Sequence, residues 1–334
     1  MSGEKSSVRT FWLLFANVLG DPMISFAFKR LLLAIPTLLV MLTAIFVLVR
    51  LVPGDAASVI LGDQATEASL RTMRARLGLD QPIQVQYLYF LGEVLTGNLG
   101  QSLSSGRTVV QEVLLVLPST IQLTLAAIVV GIVLGLPLGI FAALGRNSWV
   151  DYVSRLVSLV GLSFPAFVSG ILLLIVFAIH LGWFPVLTSD SSDPLERLRS
   201  LALPALNLGL ILMAYVVRVT RSSMLGVLGE DYIRTARAKG VTPMRLVMRH
   251  ALRNGLIPVG TVVGLYFGTL IGNSVLTEII FNRPGLGKLI FGALNARDYT
   301  LLEGLMIIFA ICVIVVNTLT DITYGLIDPR VKYK

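Results

Sequence analysis

The chain has 334 residues; 55% are hydrophobic, 14% are charged, and the mean hydropathy is +0.83. Long uncharged runs between charged clusters exclude a soluble domain and mark a polytopic helical membrane protein. The net charge of +8 is not a nucleic-acid signal, because in a six-span arrangement one side holds 17 Lys/Arg against 7 Asp/Glu and the other 10 against 12, the bias expected between a cytoplasmic and an outer face.

Cys312 is the single cysteine, so no intrachain disulfide forms, and His180 and His250 are too few and too far apart for a metal site. No Walker motif, H-E-x-x-H, nucleophile elbow or paired-carboxylate site is present. No residue is therefore assigned to catalysis, cofactor binding or metal binding.

Residues 1–28 form an N-terminal extension. Its apolar run at 11–19 is too short to span and no small-residue cleavage site follows, so an interfacial helix is expected rather than a signal peptide. Lys29 and Arg30 then lead into residues 31–49, a first span starting on the cytoplasmic side. Pro36 lies in its first turns, where neighbouring helices can satisfy the freed carbonyl. Arg50 at the far end is expected to snorkel to the interface, and the Pro-Gly pair of Arg50-Leu51-Val52-Pro53-Gly54-Asp55 breaks the helix. An outer segment follows at 52–112. It carries an amphipathic stretch at 67–77, the turn LGLDQP at 77–82 into a helix at 83–95, and GNLGQS at 97–102. A small lid and a docking platform for an external binding protein are both compatible with it.

The second span, 113–144, holds no charge and places Gly131, Gly135 and Gly139 four residues apart, which lets another backbone approach closely. Pro137 predicts a kink. Arg146 marks the cytoplasmic return, and a third span runs outward from Arg155 to residue 179, with Ser163-Phe164-Pro165 predicted to bend it inside the membrane. Trp183 and Phe184 fit an outer aromatic belt. Residues 190–199 read as a polar outer loop and 201–217 as the fourth span, ended by Arg218 and Arg221.

The fifth span, 256–277, repeats Gly260, Gly264, Gly268 and Gly272, with Thr261, Thr269, Asn273 and Thr277 beside them. Glycines alone mean tight helix packing. The polar neighbours point to the border of a wet cavity, since lone amides avoid lipid. Both readings stay open for each residue of this packing and translocation-path set. Glu278 then precedes FNRPGLGKL at 281–289. Gly287-Lys288 is superficially like a phosphate loop, but Leu289 replaces the required Ser/Thr and Asn282 stands in the place of the first glycine. Arg297-Asp298-Tyr299 introduces the sixth span, 301–319. Asp321, Asp328-Pro329-Arg330 and a basic tail at 329–334 fall on the inner side, so both termini are expected in the cytoplasm.

The longest basic stretch outside the spans is the loop at 221–255, whose core reads GEDYIRTARAKGVTPMRLVMRHALRNGLIP at 229–258. It predicts two short helices around a turn. Tyr232, Ile233 and Ala236 share one face of the first, and Gly240 stands where a left-handed residue would end it. Thr242-Pro243 is an N-cap and N1 pair. Met244, Val247, Met248, Ala251 and Leu252 follow at i, i+3, i+4, i+7 and i+8, with Arg245, Arg249 and Arg253 on a separate stripe.

YIRTARAKG at 232–240, RHALRN followed by Pro258, the R-x-x-P-G-D exit, LGLDQP, GNLGQS, the R-D-Y triplet and the D-P-R ending together resemble the ATP-binding-cassette (ABC) importer permeases of the oligopeptide, dipeptide, glutathione and nickel branch. The resemblance covers nearly the whole chain after residue 28. Elsewhere in that superfamily a Glu-Ala-Ala precedes the loop glycine. Here Arg234, Thr235 and Ala236 occupy those places, so only the peptide-branch version fits.

The resemblance implies an all-α type I importer permease fold over residues 29–328, with six transmembrane helices and a cytoplasmic coupling helix, in a bacterial-type inner membrane. It implies that Tyr232, Ile233, Thr235, Ala236, Arg237, Lys239 and Gly240 engage an ATPase, with Ala236 on the face entering the ATPase groove. It further implies two ABC ATPase subunits carrying ATP and Mg, an external solute-binding protein, and a second related permease. A heterodimer is expected, with a homodimer as the alternative. The substrate is expected to be a di- or oligopeptide, with glutathione or nickel chelates as the alternative. An ion-coupled secondary transporter would need ionisable residues near mid-membrane, whereas Arg50, Glu278, Glu303 and Asp321 fall near span ends.

Overall fold

The computed structural model describes residues 22–51, 56–61, 65–76, 78–186 and 193–327. Residues 1–21, the Val52–Asp55 part of the exit motif, Leu77, residues 187–192 and the tail from Asp328 lie outside the described residues.

Thirteen helices are named here in chain order. The first span lies on α1 (Pro22–Leu51), which starts before Lys29 rather than after Arg30. The segment beyond it carries α2 (Ala56–Leu61), α3 (Glu67–Arg76) and α4 (Ile83–Thr96). This segment is anchored by an aromatic cluster. Phe46 of α1 packs edge-on against Tyr87 at 5.1 Å and beside Phe90 at 5.4 Å, both on α4. The Tyr87 hydroxyl also hydrogen-bonds Thr43 at 2.6 Å.

The second span is α5 (Val109–Leu144), four residues longer at its start than the hydropathy run. A reciprocal capping box sets that start: Thr108 accepts from the Gln111 amide and Gln111 from the Thr108 amide. The third span is broken. α6 (Trp149–Ser163) and α7 (Ala166–His180) meet at 107°. The bend falls at the predicted Ser163-Phe164-Pro165, because Pro165 offers no N–H and holds Phe164 extended at φ −84°, ψ 128°. The last two turns of α7, Leu174–His180, widen to π geometry.

α8 (Pro194–Leu228) is the axis of the molecule and the most enclosed of the continuous spans. Asp193 caps it by accepting from the Leu195 amide at 3.0 Å, with Pro194 at N1. The polar stretch expected to be loop up to Arg199 is therefore helical from Pro194, a boundary decided by this cap rather than by hydropathy. α9 (Asp231–Ala238) and α10 follow. α10 is continuous through Pro243–Arg245, the π-helical Leu246–Ala251 and Leu252–Gly255. The fifth span is α11 (Ile257–Ile280), then α12 (Leu286–Asn295), and the sixth is α13 (Tyr299–Ile327). Among the described residues five continuous helices are long and apolar enough to cross a membrane, and counting the bent α6–α7 pair as one span gives the six predicted.

α5 and α8 run parallel in close contact. A Cβ added to Gly131 would lie 2.9 Å from Leu212, and one on Gly135 2.9 Å from Val216 and 3.0 Å from the Met213 carbonyl. One on Gly139 would lie 2.6 Å from Thr220 and 2.9 Å from the Val217 carbonyl. Both members of each pair advance by four residues, so the glycine row meets one ridge of α8 along its length. Leu123, Ala127, Leu208, Leu212 and Val216 form the core between them.

Candidate functional site

At one end of the bundle α9 folds back on α10. Gly240 has φ +78°, the left-handed C′ position the sequence predicts. The Gly240 amide donates to the Arg237 carbonyl at 3.0 Å and the Val241 amide to the Ala236 carbonyl at 3.2 Å. Those two bonds are a complete Schellman motif. Thr242 and Pro243 begin α10, although the Thr242 side chain makes no capping hydrogen bond.

Of the predicted coupling residues, Ile233 is fully buried. It packs with Met224 of α8, Ala143 of α5, and Leu246, Val247, Ala251 and Leu252 of α10, and Ala236 and Val241 are half-buried against the same cluster. Ala236 therefore faces the permease's own core, a correction to its expected place on the outward face. A helix of 3.6 residues per turn puts residues 233 and 236 on one side, and α8 and α10 cover that side. Thr235, Arg237 and Lys239 are exposed. Tyr232 is 40% exposed, its hydroxyl accepting from Asn254 at 3.0 Å.

On α10 the five residues expected on one apolar face divide. Val247, Ala251 and Leu252 are buried and Leu246 joins them, whereas Met244 and Met248 are 71% and 56% exposed. The π stretch accounts for this, since i→i+5 bonding widens each turn and rotates the methionines away from the face that 3.6-residue spacing assigns. Tyr232, Met244 and Met248 are thus apolar side chains left uncovered on the same hairpin.

Beneath the hairpin lies an ion cluster the sequence did not flag. Asp151 of α6 is fully buried, and both its oxygens accept from Arg221 of α8, the Oδ2 bond at 2.9 Å. Arg155, one turn along α6, binds the same carboxylate, as does the Asn147 amide at 3.0 Å. The i, i+4 spacing of Asp151 and Arg155 was readable, but nothing local names Arg221, seventy residues away.

In the spans, the four glycines of α11 separate into two roles. A Cβ on Gly264 would lie 2.8 Å from Thr320, and one on Gly268 would overlap Asn317, both on α13. Gly260 and Gly272 have no atom within 4 Å of such a Cβ. Thr269 is exposed and Asn273 half-buried. Thr277 is buried, and its hydroxyl accepts from Asn207 of α8 at 3.2 Å, while Asn207 accepts from Ser169 of α7 at 2.7 Å. Three helices are tied there by one amide.

At the opposite end, Glu278 is fully buried and accepts from Thr120 of α5 at 2.6 Å and from the Gly287 amide at 2.8 Å, with Lys288 at 3.4 Å. Thr120 accepts in turn from the Leu286 amide at 2.9 Å. The phosphate-loop likeness of GLGKL thus has a physical origin. The start of α12 does cradle an acidic group, and that group is this chain's own Glu278. Gly287 is required because a Cβ there would strike the Val275 backbone. Beside it, burial pulls the Arg283 guanidinium below its ordinary pKa, opposed by Glu278, and Arg283 donates to Gln122 at 2.8 Å.

Asp298 of the R-D-Y triplet is buried. It accepts from the Leu301 amide at 3.0 Å and, across 196 and 195 positions, from the Ser102 hydroxyl at 2.8 Å and the Leu103 amide at 2.8 Å. It joins the G-N-L-G-Q-S segment to the start of α13. Arg50 does not simply snorkel. It lies over the Phe46 ring, donates to Gln86 at 3.2 Å and pairs with Glu303 at 3.6 Å, because α4 and α13 close around it. Among the described residues no group of His, Cys, Asp or Glu is arranged to hold a metal ion.

The chain is similar to known proteins over most of its length. Residues 135–333 match the family described as binding-protein-dependent transport system inner membrane component, and residues 23–124 match its N-terminal companion. The glutathione transport system permease protein GsiC of Salmonella choleraesuis (strain SC-B67) is 40% identical over 312 residues, covering 93% of this chain and all of that protein. The di/tripeptide transport system permease protein DppB of Pseudomonas aeruginosa (strain UCBPP-PA14) is 42% identical over 335 residues, with the same coverage. The dipeptide transport system permease protein DppB of Alkalihalophilus pseudofirmus is 40% identical. Among solved structures, the inward-facing MetNI methionine ABC transporter contains a chain of the same fold at a TM-score of 0.50 and 18% identity, covering 63% of this chain and 93% of that one. The chain belongs to the family of binding-protein-dependent transport system inner membrane components.

Proposed function

We propose that this chain is the permease subunit of an ATP-driven importer, forming with a second, related permease the pathway for short peptides delivered by an external binding protein. The observation that carries the coupling role is the α9–α10 hairpin. Its root is buried through Ile233 and Leu246, while Tyr232, Met244 and Met248 are left uncovered among Thr235, Arg237 and Lys239. Exposed apolar side chains on a short helical hairpin are what a docking lever presents. Two ATPase subunits receive it and carry ATP and Mg, and this chain contributes no catalytic residue. The charge bias of the sequence supports a cytoplasmic position for the hairpin and for both termini. The names of the relatives supply the substrate class, since glutathione and di/tripeptides are all short peptides.

The test is uptake by proteoliposomes containing the chain, its partner permease, both ATPases and the binding protein. Labelled dialanine, trialanine or glutathione should accumulate only with ATP. Met244→Glu should abolish uptake and co-purification of the ATPases without lowering the amount of permease. Uptake of all three that persists without ATP, or ATPase binding unchanged by Met244→Glu, would refute the assignment.

A further inference from the structure

The uncovered faces of the spans differ in chemistry. On α5 they carry Leu114, Leu125, Val129 and Val133, side chains suited to lipid. On α8 the incompletely covered face carries Ile211, Tyr215, Arg218 and Ser222 at i, i+4, i+7 and i+11. It lies away from the Leu208, Leu212 and Val216 row that meets α5. On α11 Tyr266, Thr269 and Asn273 stand at i, i+3 and i+7. The two stripes join where the Tyr215 and Tyr266 rings pack with centroids 4.1 Å apart, and the Arg218 guanidinium carbon lies 5.7 Å from the Tyr215 centroid.

Arg218 differs from two other arginines at the ends of spans. Arg221 is neutralised by Asp151 and Arg50 by Glu303. Among the described residues no carboxylate pairs with Arg218, which is exposed. Arg218 stands at the inner end of the fourth span, and a stripe of Tyr215, Tyr266, Thr269 and Asn273 leading to an unpaired cation suits a passing polar ligand better than lipid tails. A guanidinium positioned beside an aromatic ring keeps its planar fork free for a carboxylate.

We propose that Arg218, flanked by Tyr215 and Tyr266, is a carboxylate-binding station on the translocation pathway, taking the C-terminal carboxylate of the passing peptide. This rests on the peptide-permease function above. Every such substrate carries that carboxylate whatever its side chains, so one arginine serves a mixed set of peptides through a charge-assisted, bidentate contact.

The complex with its partner permease and ATPases, nucleotide-free in nanodiscs, allows binding from the cytoplasmic side without the binding protein. Radiolabelled trialanine should bind about tenfold or more tightly than its C-terminal amide, the scale of a charged hydrogen bond. Arg218→Gln should bring the acid down to the level of the amide, and Arg218→Lys should restore most of the difference. Equal binding of acid and amide to the wild type overturns the proposal, as does the absence of saturable binding of the acid. Nanodiscs of phosphatidylcholine alone and with phosphatidylglycerol separate substrate from lipid phosphate. An Arg218→Gln effect confined to the anionic nanodiscs assigns the arginine to lipid and overturns the proposal. ATP-driven uptake of trialanine by the wild-type proteoliposomes distinguishes the two failures. Uptake without acid–amide discrimination sinks this inference alone, and no uptake sinks the function beneath it.

Discussion

Gly240 offers the cleanest perturbation of the coupling hairpin. Its φ is +78°, and an added Cβ meets no atom within 4 Å. A side chain there has room, so the whole cost lies in the backbone, about 1–2 kcal/mol for an L-residue in the left-handed region. Valine stands at the upper end because it is β-branched, and asparagine at the lower end because it tolerates that conformation. One to two kcal/mol is roughly a 5–30-fold change in the ratio of ordered to opened hairpin. The bonds that open first are those of the Schellman turn, Gly240 to Arg237 and Val241 to Ala236. Hydrogen exchange of the Val241 amide, in the purified complex in nanodiscs, should therefore quicken by about 5–30-fold in Gly240→Val and far less in Gly240→Asn. Uptake and substrate-stimulated ATP hydrolysis, normalised to permease in the membrane, should fall in the same order while membrane insertion stays normal. Equal exchange in Val and wild type, or Asn as damaging as Val, would refute the left-handed-turn argument.

Asp151→Ala should leave Arg221 and Arg155 without the carboxylate they share and empty its buried site between α6 and α8. The thermal midpoint of the detergent-purified complex should drop well below that of a surface control such as Asp231→Ala, whose ion pair with Arg234 is exposed. Gly135→Val should overpack the α5–α8 contact by about 1–3 kcal/mol or more, since Val216 and the Met213 carbonyl already lie within 3.0 Å of the added Cβ. Gly272→Ala, with nothing within 4 Å, should leave the yield of folded permease unchanged; equal yields for the two variants would argue against the close approach. With Cys312 replaced, Leu95→Cys should react with an impermeant thiol reagent from outside and Arg245→Cys only after the inner face is opened. The reverse pattern would invert the topology.

Features that depend on local chemistry can be read from the residues alone. Uncharged runs of membrane length, the Pro165 break, the left-handed Gly240 and the Thr242-Pro243 start of α10 are set within a few residues, and the structure keeps each of them. The α9–α10 hairpin and its motif were legible for the same reason. Tertiary structure decided what faces what. Ala236 turned inward because α8 and α10 cover its side of α9, and Met244 and Met248 turned outward because a π-helical stretch altered the turn. Gly264 and Gly268 became contacts while Gly260 and Gly272 stayed open, since α13 passes only one part of α11. The pairings of Asp151 with Arg221, Glu278 with Thr120 and Asp298 with Ser102 span 70, 158 and 196 positions. No periodicity encodes such a pairing. A buried carboxylate in a membrane protein must find donors wherever packing brings them, and only the assembled bundle determines which ones those are.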